Sequence, residues 1–262
     1  MNFKPSSNAL NVQSVGTGPD LVLLHGWGAN SAVWQLALQR WQHNYCVHRV
    51  DLPGYGFNHQ AANSNFDESV QRIAAVIPDQ ATVIAWSMSG LLATAIANLH
   101  PGKIARLVYV CSSPCFVKRD DWNYGLDGQV FGQFASELHQ NHAATLTRFL
   151  ALQTRGSTQA SETLKALRKA CLRTFTPSVE TLELGLSWLK CLDLRRELAV
   201  IEQPILFVFG QYDTIVRPRL SQALQTLVPK ANYALIAGSA HAPFISHADE
   251  FCNLTARFLV DV

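Results

Sequence analysis

Three short stretches carry residues whose types and settings suit nucleophilic chemistry. In VIAWSMSGLLA, residues 83 to 93, a β-branched run ends at Trp86 and a helix-forming segment follows, with only Ser87 at the junction. A serine on so sharp a turn projects its Oγ over the sheet edge. The following helix aims its first N–H groups and its positive dipole end at the same place, where a developing oxyanion is stabilised. The plainer alternative is a serine that merely caps the helix. A hydroxyl is a weak nucleophile at neutral pH and needs a base, normally an imidazole held in one tautomer by a carboxylate. GQYDTIV puts Asp213 just beyond the apolar run PILFVF, and GSAHAPF puts His241 just beyond NYALIA. Taken singly, Asp213 is also a good turn residue and His241 a plain loop histidine. Asp51 and Asp193 are rival carboxylates, and His25, His100 and His247 are rival imidazoles. What distinguishes Ser87, Asp213 and His241 is that all three follow separate predicted strands at one sheet edge.

A fourth stretch, HGWGAN at residues 25 to 30, directly follows the run LVLL. Its glycines let the backbone bend toward a substrate carbonyl, so that the N–H groups of Trp27 and Met88 converge on one oxygen. His25 and Gly26 then shape the turn and do not react; an ordinary glycine-rich turn is the alternative. A tight strand-to-helix turn also needs small residues two before and two after its serine, and Ala85 and Ser89 occupy those positions.

The elements that must hold these loops are legible as alternation. The apolar runs at 21–24, 45–50, 81–86, 104–110, 204–209 and 232–237 read as buried strands. Helical patterns near 31–42, 66–77, 88–99, 217–227 and 247–260 separate or follow them. The fold class is therefore α/β, with a mostly parallel central sheet covered by helices on both faces. Ligands of such sheets bind outside the carboxyl ends of the strands. Between about 115 and 200 the rhythm gives way to helical patterns such as QVFGQFASELHQ and ATLTRFLALQT, which predicts a helical cap inserted into one domain spanning 1–262.

Composition bounds the partners. The 262 residues are 48% hydrophobic and 15% charged with a net charge of +2, enough apolar material for a core and no global field of the kind that holds nucleic acid. The six cysteines have no metal-site spacing and read as buried reduced thiols. No apolar run approaches the roughly 20 residues needed to cross a bilayer, and the N-terminal stretch lacks a secretory pattern, so a cytoplasmic enzyme is expected. A triad of this type needs no metal or organic cofactor. Segment 145–175 holds Arg148, Arg155, Lys165, Arg168, Lys169 and Arg173 against Glu162, a local basic excess suited to an acidic partner or to a solvated helix face.

The chain order serine, aspartate, histidine and the HGxG turn resemble the α/β-hydrolase superfamily over nearly the whole chain. LVLLHGWGANSAVW, VDLPGYG, CSSPCF, TRFLALQT and AHAPFISHADEFC are more specifically similar to the biotin-pathway carboxylesterases that demethylate pimeloyl-[acyl-carrier protein] methyl ester. That resemblance implies Ser87 as nucleophile, His241 as base, Asp213 as its orienter, and Trp27 and Met88 as the oxyanion site. It further implies substrate contacts at Trp27, Ser87, Met88, His241 and the segment Phe149, Leu150, Ala151, Leu152, Gln153; as apolar residues, Phe149, Leu150 and Leu152, with Phe116 and Trp122 expected nearby, offer surface for an acyl chain. Arg148, Arg155, Lys165 and Arg168 are the implied contacts to the acyl-carrier protein. Departures are Ala85 and Ser89 in place of two glycines, and Ser161 in place of a usual arginine beside a new Arg155. A monomer is expected. The alternatives are a broad short-chain carboxylesterase, a carbon–carbon bond hydrolase, or a hydrolase-fold receptor with little turnover.

Overall fold

The computed structural model describes residues 9–61, 64–172 and 175–260. Seven strands form one sheet in the order β1-β3-β2-β4-β5-β6-β7. They are β1 (Val12–Val15), β2 (Asp20–Leu24), β3 (Cys46–Val50), β4 (Ala81–Trp86), β5 (Ile104–Val110), β6 (Ile205–Gly210) and β7 (Asn232–Ile236). From β3 to β7 every neighbouring pair is parallel, whereas β1 runs antiparallel to β3, pairing Val12 with Val50 and Val15 with Val47. The six predicted strands are all present. β1 is an edge strand that alternates no apolar residues toward a core, and for that reason VQSV gives no signal in the sequence.

Side chains of successive strand residues point to opposite faces, and the two cores divide accordingly. Val22, Leu24, Val83, Ala85, Leu107, Tyr109, Ile205 and Phe207 face one side, against α2 (Phe66–Val76), α3 (Ser89–Leu99) and α9 (Leu220–Leu227). Leu21, Leu23, Ile84, Trp86, Val108, Val110, Leu206 and Val208 face the other, against α1 (Gln35–Trp41) and α11 (Ala248–Val260). A strand buried on both faces needs apolar residues throughout, and this is why β4 and β6 read as continuous apolar runs.

Between β5 and β6 the chain forms α4 (Gly128–Gln140), α5 (His142–Leu152), α6 (Ala160–Leu172), α7 (Val179–Cys191) and α8 (Arg195–Ala199). The predicted helix 31–42 is divided in the structure, and a short helix not predicted stands before the last one. A 3-10 turn over Ser31–Trp34, capped by the Asn30 side chain, precedes α1, and α10 (Pro243–Ser246) precedes α11. Two sequence expectations need correction. The six cysteines are free, but Cys191 is exposed on the last turn of α7 and Cys46 is only half-buried, because each lies where its element meets solvent. Trp122 is buried in the same core cluster as Phe116, with its indole donating to Cys115 O at 3.0 Å and the Arg195 guanidinium 5.1 Å from its ring centre, and it does not line the cavity beside Ser87.

The carboxyl ends of β6 and β7 approach closely. A Cβ on Gly210 would stand 1.9 Å from the carbonyl oxygen of Ala240, the residue before His241. Gly210→Ala should therefore cost about 1–3 kcal/mol in chemical denaturation and lower kcat by more than the lost stability accounts for, since the added methyl displaces the loop of the imidazole. Unchanged kcat would show that the loop tolerates the shift.

Candidate active site

Ser87 follows β4 directly and precedes α3, with Met88 as the cap residue. Its φ is +57°, the left-handed region that a residue with a Cβ occupies at a cost of roughly 1–2 kcal/mol. The surroundings over-determine this conformation. The Ser87 N–H donates to Val110 O at 2.9 Å, while its carbonyl accepts from the Gly90 N–H and from the buried Ser112 hydroxyl at 2.7 Å. Ser89 is fully buried, and its hydroxyl donates to the carbonyls of Leu24 and Trp86, so a serine meets the steric demand of the turn without leaving a polar group unpaired. The tightest position is one residue further on: a Cβ on Gly90 would stand 2.0 Å from Ser112 Oγ. Sequence reasoning missed Ser112, whose only signal is its place just after β5.

His241 lies within hydrogen-bond reach of both partners. Its Nε2 is 2.9 Å from Ser87 Oγ and its Nδ1 is 2.7 Å from Asp213 Oδ2. The other carboxylate oxygen of Asp213 accepts the N–H groups of Ile215 and Val216 at 2.8 and 2.9 Å. An ionised carboxylate only accepts, so the proton of the neutral ring belongs on Nδ1 and Nε2 is left free to accept from the serine. All three residues are buried. His241 is also fixed through its main chain, whose N–H donates to Gln153 O at 3.0 Å and whose carbonyl accepts from the Trp86 indole at 2.8 Å.

Gly26 brings the HGWGAN turn against this centre, since a Cβ there would meet Ser87 Cβ at 3.1 Å. The backbone N–H groups of Trp27 and Met88 have no acceptor among the described residues. The Trp27 indole donates to Leu182 O at 2.8 Å, which anchors the turn to α7, and its ring meets Phe149 edge-on with centroids 4.8 Å apart. A cavity of about 50 Å³ opens beside Ser87, walled by Trp27, Phe116, Phe131, Phe134, Phe149, Leu152, Leu186, Leu189 and Ile215.

The expected substrate segment divides between two faces of α5. Phe149 and Leu152 line the cavity. Leu150, about 100° further round the helix than Phe149, is fully buried in the opposite core cluster with Leu167 and Cys171 and does not line the cavity. Gln153 is buried and holds His241 through its carbonyl; Ala151 is half-buried. Of the basic residues, Arg148 pairs with Glu137 of α4, whereas Lys165 and Arg168 are exposed on α6. Arg155 lies apart from that helix, beside Tyr212, Arg217 and Arg219. Arg173 lies outside the described residues.

The rival groups are committed elsewhere. Asp51 accepts the N–H groups of Ser31 and Phe57, bracing two loops. Asp193 binds Arg195. The Nε2 of His25 accepts from the Leu52 N–H at 3.0 Å, so its Nδ1–H donates to Gly26 O. Cys111, Asp213 and His241 present ligand-type atoms within 4.8 Å of one another, as do Asp20, Cys46 and His48. In the first set, burial and the neighbouring Asp213 charge hold the Cys111 thiol protonated far above its ordinary range, and the carboxylate and imidazole are already bonded to each other.

Burial holds the pKa of His25 below the ordinary 6.5, against a smaller opposing pull from Asp51. The unfolded chain takes up a proton that the folded ring refuses, so this group removes stability as pH falls through that value. Urea unfolding between about pH 7.5 and about pH 5 should show a shallower loss for His25→Gln than for the wild type. Equal slopes would mean that the buried ring does not contribute.

Residues 19–248 match the alpha/beta hydrolase fold family. Curated relatives called pimeloyl-[acyl-carrier protein] methyl ester esterase include those of Photobacterium profundum, 40% identical and covering 97% of this chain and 99% of that one, and Vibrio parahaemolyticus, 39% identical with 97% and 100% covered. The relative from Serratia marcescens is 38% identical over 96% of this chain and 98% of its own. Among solved structures, an esterase from Exiguobacterium antarcticum aligns with a TM-score of 0.86 at 19% identity, covering 95% of this chain and 94% of that one. A bromoperoxidase from Bacillus anthracis aligns with a TM-score of 0.85 at 20% identity, with the same coverage; both likenesses concern the fold. The chain belongs to the alpha/beta hydrolase fold family, and within it stands with the pimeloyl-[acyl-carrier protein] methyl ester esterases.

Proposed function

We propose that this protein hydrolyses the methyl ester of pimeloyl-[acyl-carrier protein], releasing methanol and the free carboxylate required for biotin synthesis. The observation that carries the reading is the buried relay from Ser87 through His241 to Asp213, at 2.9 and 2.7 Å, in a chain about 40% identical to esterases of that name over almost its full length.

In the first half-reaction Ser87 Oγ attacks the ester carbonyl carbon as His241 Nε2 takes the hydroxyl proton. The carbonyl oxygen becomes an oxyanion, and the N–H groups of Trp27 and Met88 receive it. Collapse of this intermediate breaks the bond to the methoxy oxygen, which leaves as methanol with the proton from His241. Water then attacks the acyl-enzyme with His241 again as base, and the carboxylate departs as Ser87 recovers its proton. Donors fixed before reaction need no reorganisation, and losing one typically costs about 10²- to 10³-fold in kcat. Met88 and Trp27 donate through main chain, so truncating their side chains tests packing and not this contact.

The helices between β5 and β6 serve as a cap, and Phe149, Leu152, Phe134 and Phe116 supply the apolar wall for the acyl chain, at about 25 cal/mol per Å² removed from water. The acyl chain reaches Ser87 through the cavity that α4, α5 and α7 wall. Lys165 and Arg168 on α6 meet an acidic carrier protein. No helix among the described residues is long and apolar enough to cross a membrane, in keeping with a carrier-borne substrate.

Ser87→Ala should lower kcat on the carrier-bound methyl ester by roughly 10⁴-fold or more, as the members of a triad act as a unit. A strain lacking its methyl esterase should grow without biotin when supplied with the intact chain and fail with the variant. Growth with Ser87→Ala, or a variant retaining most activity, would remove Ser87 as nucleophile.

A further inference from the structure

The loop Gln211–Arg219 faces two ways. On one side Ile215 walls the cavity beside Ser87 and Asp213 meets His241. On the other lies an open groove of about 480 Å³ between this loop and the Arg155–Gly156 turn that follows α5. Three arginines line it, Arg155, Arg217 and Arg219, all exposed. The one carboxylate in the lining is Asp213, whose oxygens are already taken by His241 and two backbone N–H groups. No ion pair engages Arg155 or Arg217 among the described residues. Arg219 is held in place, donating to Asn123 O at 2.9 Å with its guanidinium 5.9 Å from the Tyr124 ring centre.

Three exposed cations against one buried carboxylate leave the groove net positive, a surface that an anionic partner suits. The groove floor carries an aromatic as well. Tyr212 is 43% exposed, and Gly156 leaves its face uncovered: a Cβ there would stand 3.1 Å from Tyr212 Cβ. Arginine and tyrosine beside a small residue form the kind of surface that anchors protein interfaces. The position matters too, because an anchor here is one loop away from the catalytic aspartate, on the seam between the inserted helices and the sheet.

We propose that this groove docks an acidic face of the carrier protein that bears the substrate, as a second anchor separate from the basic face of α6. The inference rests on the carrier-bound reading above and adds to it the surface that a carrier acid patch would grip. It also accounts for Arg155, which stands off α6 and joins Arg217 and Arg219 across the groove.

The test uses the full chain and two substrates, the methyl ester on the carrier protein and the same acyl group on a small neutral thioester. Arg155→Glu combined with Arg217→Glu should lower kcat/KM on the carrier-bound ester by about tenfold or more at low salt, and the deficit should shrink as the Debye length contracts. Turnover of the small thioester should stay within about twofold of wild type, which also certifies the fold. The charge-keeping pair Arg155→Lys and Arg217→Lys should recover most of the loss. If carrier preference persists in the glutamate variant, or if both substrates fall together, the groove is not a docking site. If the wild type already treats both substrates alike, the carrier-bound reading itself fails, an outcome separate from the other two.

Discussion

The arrangement depends on keeping one buried imidazole between an alcohol and a carboxylate. Burying a carboxylate costs several kcal/mol unless hydrogen bonds replace its water. Asp213 has its replacements: two backbone N–H groups on one oxygen and the His241 ring on the other. The loop after β6 thus does two jobs at once, solvating the charge and aiming it, and the ring cannot rotate without leaving that charge uncompensated. Its tautomer follows from this constraint and from nothing in the serine itself.

The turn at Ser87 is the second fixed point. A left-handed serine is strained in isolation, and the strain persists because β5, the Ser112 hydroxyl and the Ser89 hydroxyl all hold its neighbours. The two positions usually given to glycine are filled by Ala85 and Ser89, both buried. Ala85 brings only a methyl group, and Ser89 satisfies its own oxygen against carbonyls of β2 and β4. The demand for zero side-chain volume has moved to Gly90, where Ser112 closes on the helix. In His25 the same economy appears: a potentially reactive ring is consumed by two backbone contacts that shape the oxyanion turn.

Much of this was legible because parallel strands buried on both faces must be apolar throughout, so β2, β4 and β6 announce themselves, and the more exposed β3 and β7 still show as short apolar runs that put Ser87, Asp213 and His241 at matching ends. What escaped had physical reasons. β1 is a short edge strand with half its residues in water, and VQSV carries no pattern to find. Leu150 and Phe149 are adjacent in sequence but face different cores, a distinction made by the packing of α5 against α6 and not by residue type. Trp122 and Phe116 share one core cluster, yet only Phe116 lines the cavity, since the Trp122 indole is turned to Cys115 O and its ring lies against Arg195 of α8. Arg148 was legible as basic but not as the partner of Glu137, and the setting of Arg155 beside Arg217 and Arg219 required the fold to join distant segments.

The main-chain bond from His241 N–H to Gln153 O ties the base to the end of α5, the same helix whose Phe149 and Leu152 wall the cavity. One helix end therefore carries both a wall of the cavity and a main-chain anchor of the imidazole, so that a substitution loosening the end of α5 would be felt at both.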